Sequence, residues 1–176
     1  VYNNKKISKY VLKKKDKILC AKFRPGHFEG VLSVISQFLS KINVNKLFLG
    51  NKDFQQLYLI KKYLGKKFRT KIIGCKTIRY KNSFAYSSRN YLLSKSELLK
   101  LQLASKIMLN FKNLLKKDFK NKKKINLIKK KLILNKIKIE YLEIRNKKDL
   151  NTETNKKNFK VFFAFYINNI RFIDNY

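Results

Sequence analysis

Between residues 44 and 74 the spacing of apolar side chains changes twice, and this limits the fold more than any other feature of the chain. Residues 44–49 read as a buried strand that stops at Gly50. Phe54, Leu57, Tyr58, Ile60 and Leu64 then recur at helical spacing, and Gly65 fits the helix's C-terminal cap. Residues 70–74, β-branched again, read as a second strand. A strand, a helix and a strand with such short connections form a βαβ unit, so the two strands should pair in parallel.

Open α/β sheets bind ligands beyond the carboxyl ends of their strands. Here that place is Gly50-Asn51-Lys52-Asp53-Phe54-Gln55-Gln56, where a helix N-terminus also offers free N–H groups and a positive dipole end. Two readings of it stay open. Asp53 with Gln56 three residues on is a capping-box pattern, and Lys52 would be one lysine among many. Alternatively Lys52 supplies a compact charge to phosphate and Asp53 accepts from ribose hydroxyls. Gln56 would then meet a carboxylate or hydroxyl, and Gly50 would let a nucleotide approach the backbone.

The flanking sequence fills in the rest of the domain. Residues 1–20 are basic and weakly patterned, with a short strand expected at 17–21. Arg24-Pro25-Gly26-His27-Phe28 is a turn. Val31, Val34, Ile35, Phe38 and Ile42 then predict an amphipathic helix over 28–42. Residues 76–90 are looser, and a domain boundary is expected near residue 78, giving domains 1–78 and 79–176.

The second domain opens with Ser94-x-x-Glu97, a capping box. Leu99, Leu103, Ile107, Phe111 and Leu114 should line one face of the helix it starts. A lysine-rich helix over 119–135 should turn Ile125, Ile128 and Leu132 inward. Residues 137–145, 159–168 and 170–174 read as strands, the last two joined at Asn168-Asn169, with a polar loop at 151–158. Helices followed by sequential strands imply a small α+β domain with a three-stranded sheet.

Just before that domain's first helix lies Tyr86-Ser87-Ser88-Arg89-Asn90. Two hydroxyls and a guanidinium fork suit phosphate oxygens and a leaving pyrophosphate. The same residues also suit a polar loop whose serines start a helix. His27 fits a loop or cap better than a catalyst, and Arg24 is open between a phosphate ligand and a surface charge.

Forty-four Lys and Arg against ten Asp and Glu give a formal net charge of +34. A basic nucleic-acid-binding protein of ribosomal type would account for that charge. It gives no reason for the ordered motifs. Lys, Asn, Ile, Phe and Tyr are abundant while Gly and Pro are scarce, which is what AT-rich codon drift produces, and the lysines are scattered along the chain. Cys20 and Cys75 lie far apart and there is one histidine, which excludes a zinc site and a disulfide framework. The longest apolar run, 161–167, is strand-sized, so no membrane span is expected.

Three motifs, in order and at compatible spacing, resemble the pantothenate synthetase (pantoate–β-alanine ligase) family. They are Arg24-Pro-Gly-His-Phe-Glu-Gly-Val31, Gly50-Asn-Lys-Asp-Phe-Gln-Gln56 and Ser87-Ser-Arg-Asn90 followed by Tyr91-Leu92. Tyr141-Leu-Glu-Ile-Arg145 and Arg171-Phe-Ile-Asp-Asn175 resemble its C-terminal strands, so the likeness runs from about residue 20 onward. The resemblance implies the C-terminal part of a Rossmann-like nucleotidyltransferase domain followed by a small α+β lid domain. It further implies condensation of pantoate with β-alanine, using ATP and Mg2+, through a pantoyl-adenylate, with AMP and pyrophosphate released. A cytoplasmic homodimer with no specific nucleic-acid or membrane partner goes with it.

Residue by residue, the resemblance puts Gly50, Asn51, Lys52 and Asp53 on ATP, with Lys52 at the phosphates and Asp53 at the ribose. Gln56 would hold pantoate, and Val34 and Ile35 would wall its geminal methyls. Ile78 would touch the adenine end, and Tyr86, Ser87, Ser88 and Arg89 would form a mobile phosphate-gripping loop. Lys52, Ser87, Ser88 and Arg89 are the implied catalytic groups, Arg24 is a further phosphate contact, and no side chain here is implied to bind metal. The sequence departs from the family at Asn51, usually Glu, at Lys76, usually Pro, and at Tyr86, commonly Leu or Met. A glycine before Tyr86 is missing. The family's His-x-Gly-His segment has no counterpart either, so a fragment without adenylating activity of its own is expected.

Overall fold

The computed structural model describes residues 10–176, so the basic stretch at 1–9 lies outside the described residues. The chain divides into two units between Lys76 and Thr77.

In the first unit the βαβ expectation holds. Strand β1 (Lys46–Gly50) pairs in parallel with β2 (Lys71–Cys75), in a register that sets Phe48 opposite Ile73 and Gly50 opposite Cys75. Between them runs helix α3 (Phe54–Leu64), entered through a single 3-10 turn at Asn51–Asp53. It buries Leu57, Ile60 and Leu64 as its periodicity predicts, together with Gln55 and Leu59. The β1 expectation fails on burial: Phe48 is 59% exposed, because α3 packs on these strands while Phe48 has no such cover.

Residues 17–21 are not a strand. Leu19 has φ +50°, and a short helix α1 (Cys20–Phe23) starts directly after it. The Ile18 carbonyl, which a sheet neighbour would otherwise have used, accepts from the Gln55 side-chain amide at 2.6 Å. Helix α2 (His27–Lys41) forms where the spacing puts it, after Gly26 at φ +78°, yet it turns the other way. Its buried residues are Phe28, Leu32 and Ser36, with the Tyr10 hydroxyl donating to Ser36 Oγ at 2.9 Å. Val34, Phe38 and Ile42 are exposed instead, at 38, 56 and 53%. Phe28, Leu32 and Ser36, with half-buried Leu39, offer a second stripe at helical spacing, and α2 packs against α3.

In the second unit Ser94 and Glu97 form the expected capping box at the start of helix α4 (Lys95–Lys117). The face differs again. Ile107 and Phe111 are buried, but their companions are Leu101, Ala104, Met108 and Leu115, while Leu99 lies 66% exposed and Leu103 and Leu114 are exposed too. The lysine-rich helix is shorter than expected: a 3-10 stretch at Phe119–Lys124 leads into α5 (Ile125–Leu134), which buries Leu132 and packs Ile125 and Ile128 against the core. Strands β3 (Lys138–Asn146), β4 (Phe159–Ile167) and β5 (Ile170–Asn175) form an antiparallel sheet in that order. Asn168, with φ +51°, turns the β4–β5 hairpin. Phe163, Phe165 and Phe172 of this sheet meet Met108, Phe111 and Leu132 in one core.

Candidate functional site

The first unit gathers one group of candidate residues at the end of β1. Asn51, Lys52 and Gln56 are half-buried and Asp53 is exposed; residues 51–53 form the turn from strand to helix and Gln56 lies in the first turn of α3. Asp53 stands at the N-cap position of α3, but its side chain makes no capping hydrogen bond. The capping box therefore does not form, and the carboxylate is turned to solvent. The two glutamines divide their tasks. Gln55 is buried and tied to the Ile18 carbonyl, whereas Gln56 stands at the half-buried rim.

Gly74 is a member of this group that sequence reasoning missed. It faces Leu49 across the sheet, and a Cβ there would come within 2.4 Å of Asn51 Oδ1 and 2.7 Å of Leu57 Cδ2. The absent side chain is what lets Asn51 fold back over β2. A glycine at the end of a strand beside a strand-to-helix turn was the available signal. At Gly50, by contrast, an added Cβ would meet nothing within 4 Å, and its φ of −69° suits any residue. The space over Gly50 is open.

Val34 and Ile35 lie on α2, Val34 exposed and Ile35 half-buried. Arg24 ends α1, exposed to solvent. His27 opens α2 with its ring 4.9 Å from that of Phe28.

The second unit holds the other group. Ser87 caps a 3-10 turn at Ser88–Leu92, its hydroxyl accepting from the Arg89 amide at 3.3 Å, so the helix-starting role of a serine is realised there. Ser88 and Arg89 are exposed, and an Arg89 guanidinium nitrogen donates to the Arg171 carbonyl at 3.1 Å. Ile78 and Tyr86 are 73 and 55% exposed, and Tyr86 meets the Tyr80 ring edge-on at 6.1 Å.

Behind this loop lies a charged cluster. Arg79 pairs with Asp174, and Lys160 donates to the Asn175 side-chain carbonyl at 2.5 Å. Burial lowers the Arg79 pKa, yet the Asp174 hydrogen bonds and charge outweigh it and leave it raised. Burial, with Lys112 nearby, lowers Lys160 to about 8. The Arg79–Asp174 pair follows from a scarcity visible in the sequence, ten acidic residues against forty-four basic ones. Among so many cations a buried carboxylate finds a partner at once, as Asp16 does with Lys62 and Glu140 with Arg171. Among the described residues no group of three or more His, Cys, Asp or Glu side chains is placed to hold a metal ion, and no helix is long and apolar enough to cross a membrane.

Comparison with known proteins puts these features in a family context. The chain is 34% identical over 158 residues to the pantothenate synthetase of Flavobacterium psychrophilum, covering 88% of this chain and 56% of that protein. The crystal structure of a pantoate-beta-alanine ligase from Francisella tularensis, complexed with beta-gamma ATP and beta-alanine, superposes with a TM-score of 0.74 at 32% identity, covering 95% of this chain and 56% of that one. Pantothenate synthetase from Thermus thermophilus shares the fold, with a TM-score of 0.82 at 22% identity over 94% of this chain and 61% of that one. The chain thus spans little more than half the length of the curated relatives it matches. A family model described as pantoate-beta-alanine ligase matches residues 1–176, and with it the α/β fold and the strand-to-helix turn find a common explanation: this chain belongs to the pantoate–β-alanine ligase family.

Proposed function

We propose that the protein catalyses the ATP-dependent condensation of pantoate with β-alanine through a pantoyl-adenylate. The reading rests above all on a family match that runs the whole length of the chain. The Francisella relative with ATP and β-alanine bound adds support for those two substrates. The first unit, on this proposal, binds ATP and pantoate, and the second closes over them as a lid.

A pantoate carboxylate oxygen attacks the α-phosphorus of ATP, and the bond to the β,γ-pyrophosphate breaks. The amine of β-alanine then attacks the acyl carbon, AMP leaves, and the ammonium gives up its proton. The first step brings two anions together, so fixed cations and hydrogen-bond donors must offset charge as it moves onto pyrophosphate. Lys52, Ser87, Ser88 and Arg89 are assigned to that task. Asp53 accepts from the ribose hydroxyls, and the nucleotide passes over the backbone of Gly50 and Asn51, beside the open space at Gly50. Gln56 holds pantoate, with Val34 and Ile35 against its methyls. Ile78 and Tyr86 face the adenine, and Arg24 reaches a phosphate. Magnesium is proposed to enter with the nucleotide, where it would offset phosphate charge. The working form is proposed to be a cytoplasmic homodimer.

The test is AMP release by the full-length protein as the cell makes it. Release should require pantoate, and pantothenate should form only when β-alanine is present. AMP formation indifferent to both substrates overturns the proposal.

A further inference from the structure

Arg79 makes more side-chain contacts than a surface arginine needs. One terminal nitrogen donates to Asp174 at 2.6 Å and to the Ser83 carbonyl at 3.1 Å. The other donates to Asp174 at 2.9 Å and to the Asn175 carbonyl at 3.0 Å. The guanidinium plane also lies 4.4 Å from the centre of the Tyr176 ring. Asp174 is held in turn, accepting from the Asn175 amide at 2.8 Å. Only the planar fork of arginine can serve a carboxylate with two parallel bonds and still reach two carbonyls.

The backbone at Arg79 is committed as well. Arg79 and Ala85 form an isolated antiparallel bridge, closed by Tyr80 N–H to the Phe84 carbonyl at 2.9 Å and Tyr86 N–H to the Ile78 carbonyl at 3.1 Å. Ser83, Phe84 and Ala85 are buried, and the Asn90 side chain donates to the Ala85 carbonyl at 3.2 Å. Tyr86, Ser88 and Arg89 emerge exposed directly after this anchored base. The Arg79 charge is already matched by a carboxylate that is almost wholly buried, so this guanidinium is poorly suited to gripping phosphate itself.

We propose that Arg79, clamped by Asp174, is a positioning residue that fixes the base of the 86–89 segment so that its donors meet the nucleotide phosphates in one geometry. This rests on the reading of Tyr86, Ser87, Ser88 and Arg89 as ATP-binding. Pre-set donors are worth far more than mobile ones, and a misplacement of about 1 Å costs on the order of a hundredfold in rate.

Arg79→Lys keeps the charge and loses the fork, and Asp174→Asn keeps the shape and loses the counter-charge. Both variants of the full-length protein, with Arg89→Ala in parallel, are followed by amide hydrogen exchange and by steady-state kinetics. In Arg79→Lys, exchange at residues 84–90 should rise roughly tenfold while β4 is unchanged. The KM for ATP should rise at least about fivefold, with the KM for β-alanine unmoved. Asp174→Asn should reproduce both effects. Unchanged exchange at 84–90, or an equal rise in β4, overturns the clamp. If Arg89→Ala leaves ATP use intact, the reading of the segment fails, and with it the positioning role, even where Arg79→Lys still loosens 84–90.

Discussion

Tyr63 donates its phenolic hydrogen to Asp16 at 2.7 Å while accepting the Lys13 amide at 2.9 Å. Lys62 completes the arrangement at 2.5 Å from the other Asp16 oxygen. The segment before α1 is thereby tied to the last turn of α3. Burial raises the Tyr63 pKa, and Asp16 adds to the rise. Asp16→Ala would leave the Tyr63 hydroxyl and the Lys62 ammonium without their shared acceptor. A loss of about 2–4 kcal/mol is expected, against about 1 kcal/mol for Tyr63→Phe, both read from urea denaturation.

The two strand-end glycines should respond in opposite ways. Gly74→Ala drives a methyl into Asn51 and Leu57, and a cost of about 1–3 kcal/mol is expected in thermal or chemical unfolding. Gly50→Ala meets open space and should fold normally, yet weaken ATP binding if the nucleotide occupies that space as proposed. Calorimetric titration of ATP into the full-length variant separates the two effects. Unaltered ATP affinity in Gly50→Ala would place the nucleotide elsewhere.

Lys52→Ala removes a proposed phosphate cation. The expected loss in kcat/KM for ATP is roughly a hundredfold to a thousandfold, with melting temperature little changed. A loss in kcat/KM below about threefold would return Lys52 to the status of a surface lysine.

Lys160 predicts a pH dependence. Its folded pKa is lowered to about 8 by burial and by neighbouring cations, against 10.5 for the free side chain. The unfolded chain therefore binds more protons between these values, and stability from this group rises as pH increases through the window. The full effect is on the order of 3 kcal/mol. Denaturation of wild type and Lys160→Met, at several pH values from 7.5 to about 10, should show a steeper rise in the wild type. Parallel curves would contradict it.

Orientation of α2 is open to a direct comparison. Leu32→Ala should cost about 2–5 kcal/mol as a buried large-to-small change, whereas Phe38→Ala, on the exposed side, should cost less than about 1 kcal/mol.

Those last two residues show what the sequence carries and what it does not. Strand-helix-strand order, the parallel pair, the Ser94 capping box and the final hairpin were all legible, because turn residues and the change of apolar period mark them locally. Which side of α2 and α4 faces inward was not. Both helices carry apolar residues on more than one stripe, so periodicity fits two orientations and tertiary packing decides between them. Ser36 is buried because Tyr10 supplies its hydrogen-bond partner, a match between residues 26 positions apart. At the candidate site, the closeness of Lys52, Asp53 and Gln56 at a helix start was legible, though Lys52 and Asp53 lie in the 3-10 turn just before α3. The capping alternative at Asp53 was settled only by the turn's geometry, since spacing fits a cap whether or not the side chain points to it. Gly74 and Arg79 escaped notice because their importance lies in contacts far along the chain.

Arg79 and Asp174 also set an order of events during synthesis. The two residues lie 95 positions apart and join the opening loop of the second unit to its last strand. While the ribosome is still making α4, α5 and the first strands, the 79–90 loop has no carboxylate to hold it. It can take its final shape only after Asp174 has emerged and β5 has paired with β4. The second unit therefore completes its loop after translation has passed its other elements, and a nascent chain paused before Asp174 should leave that loop open to proteases.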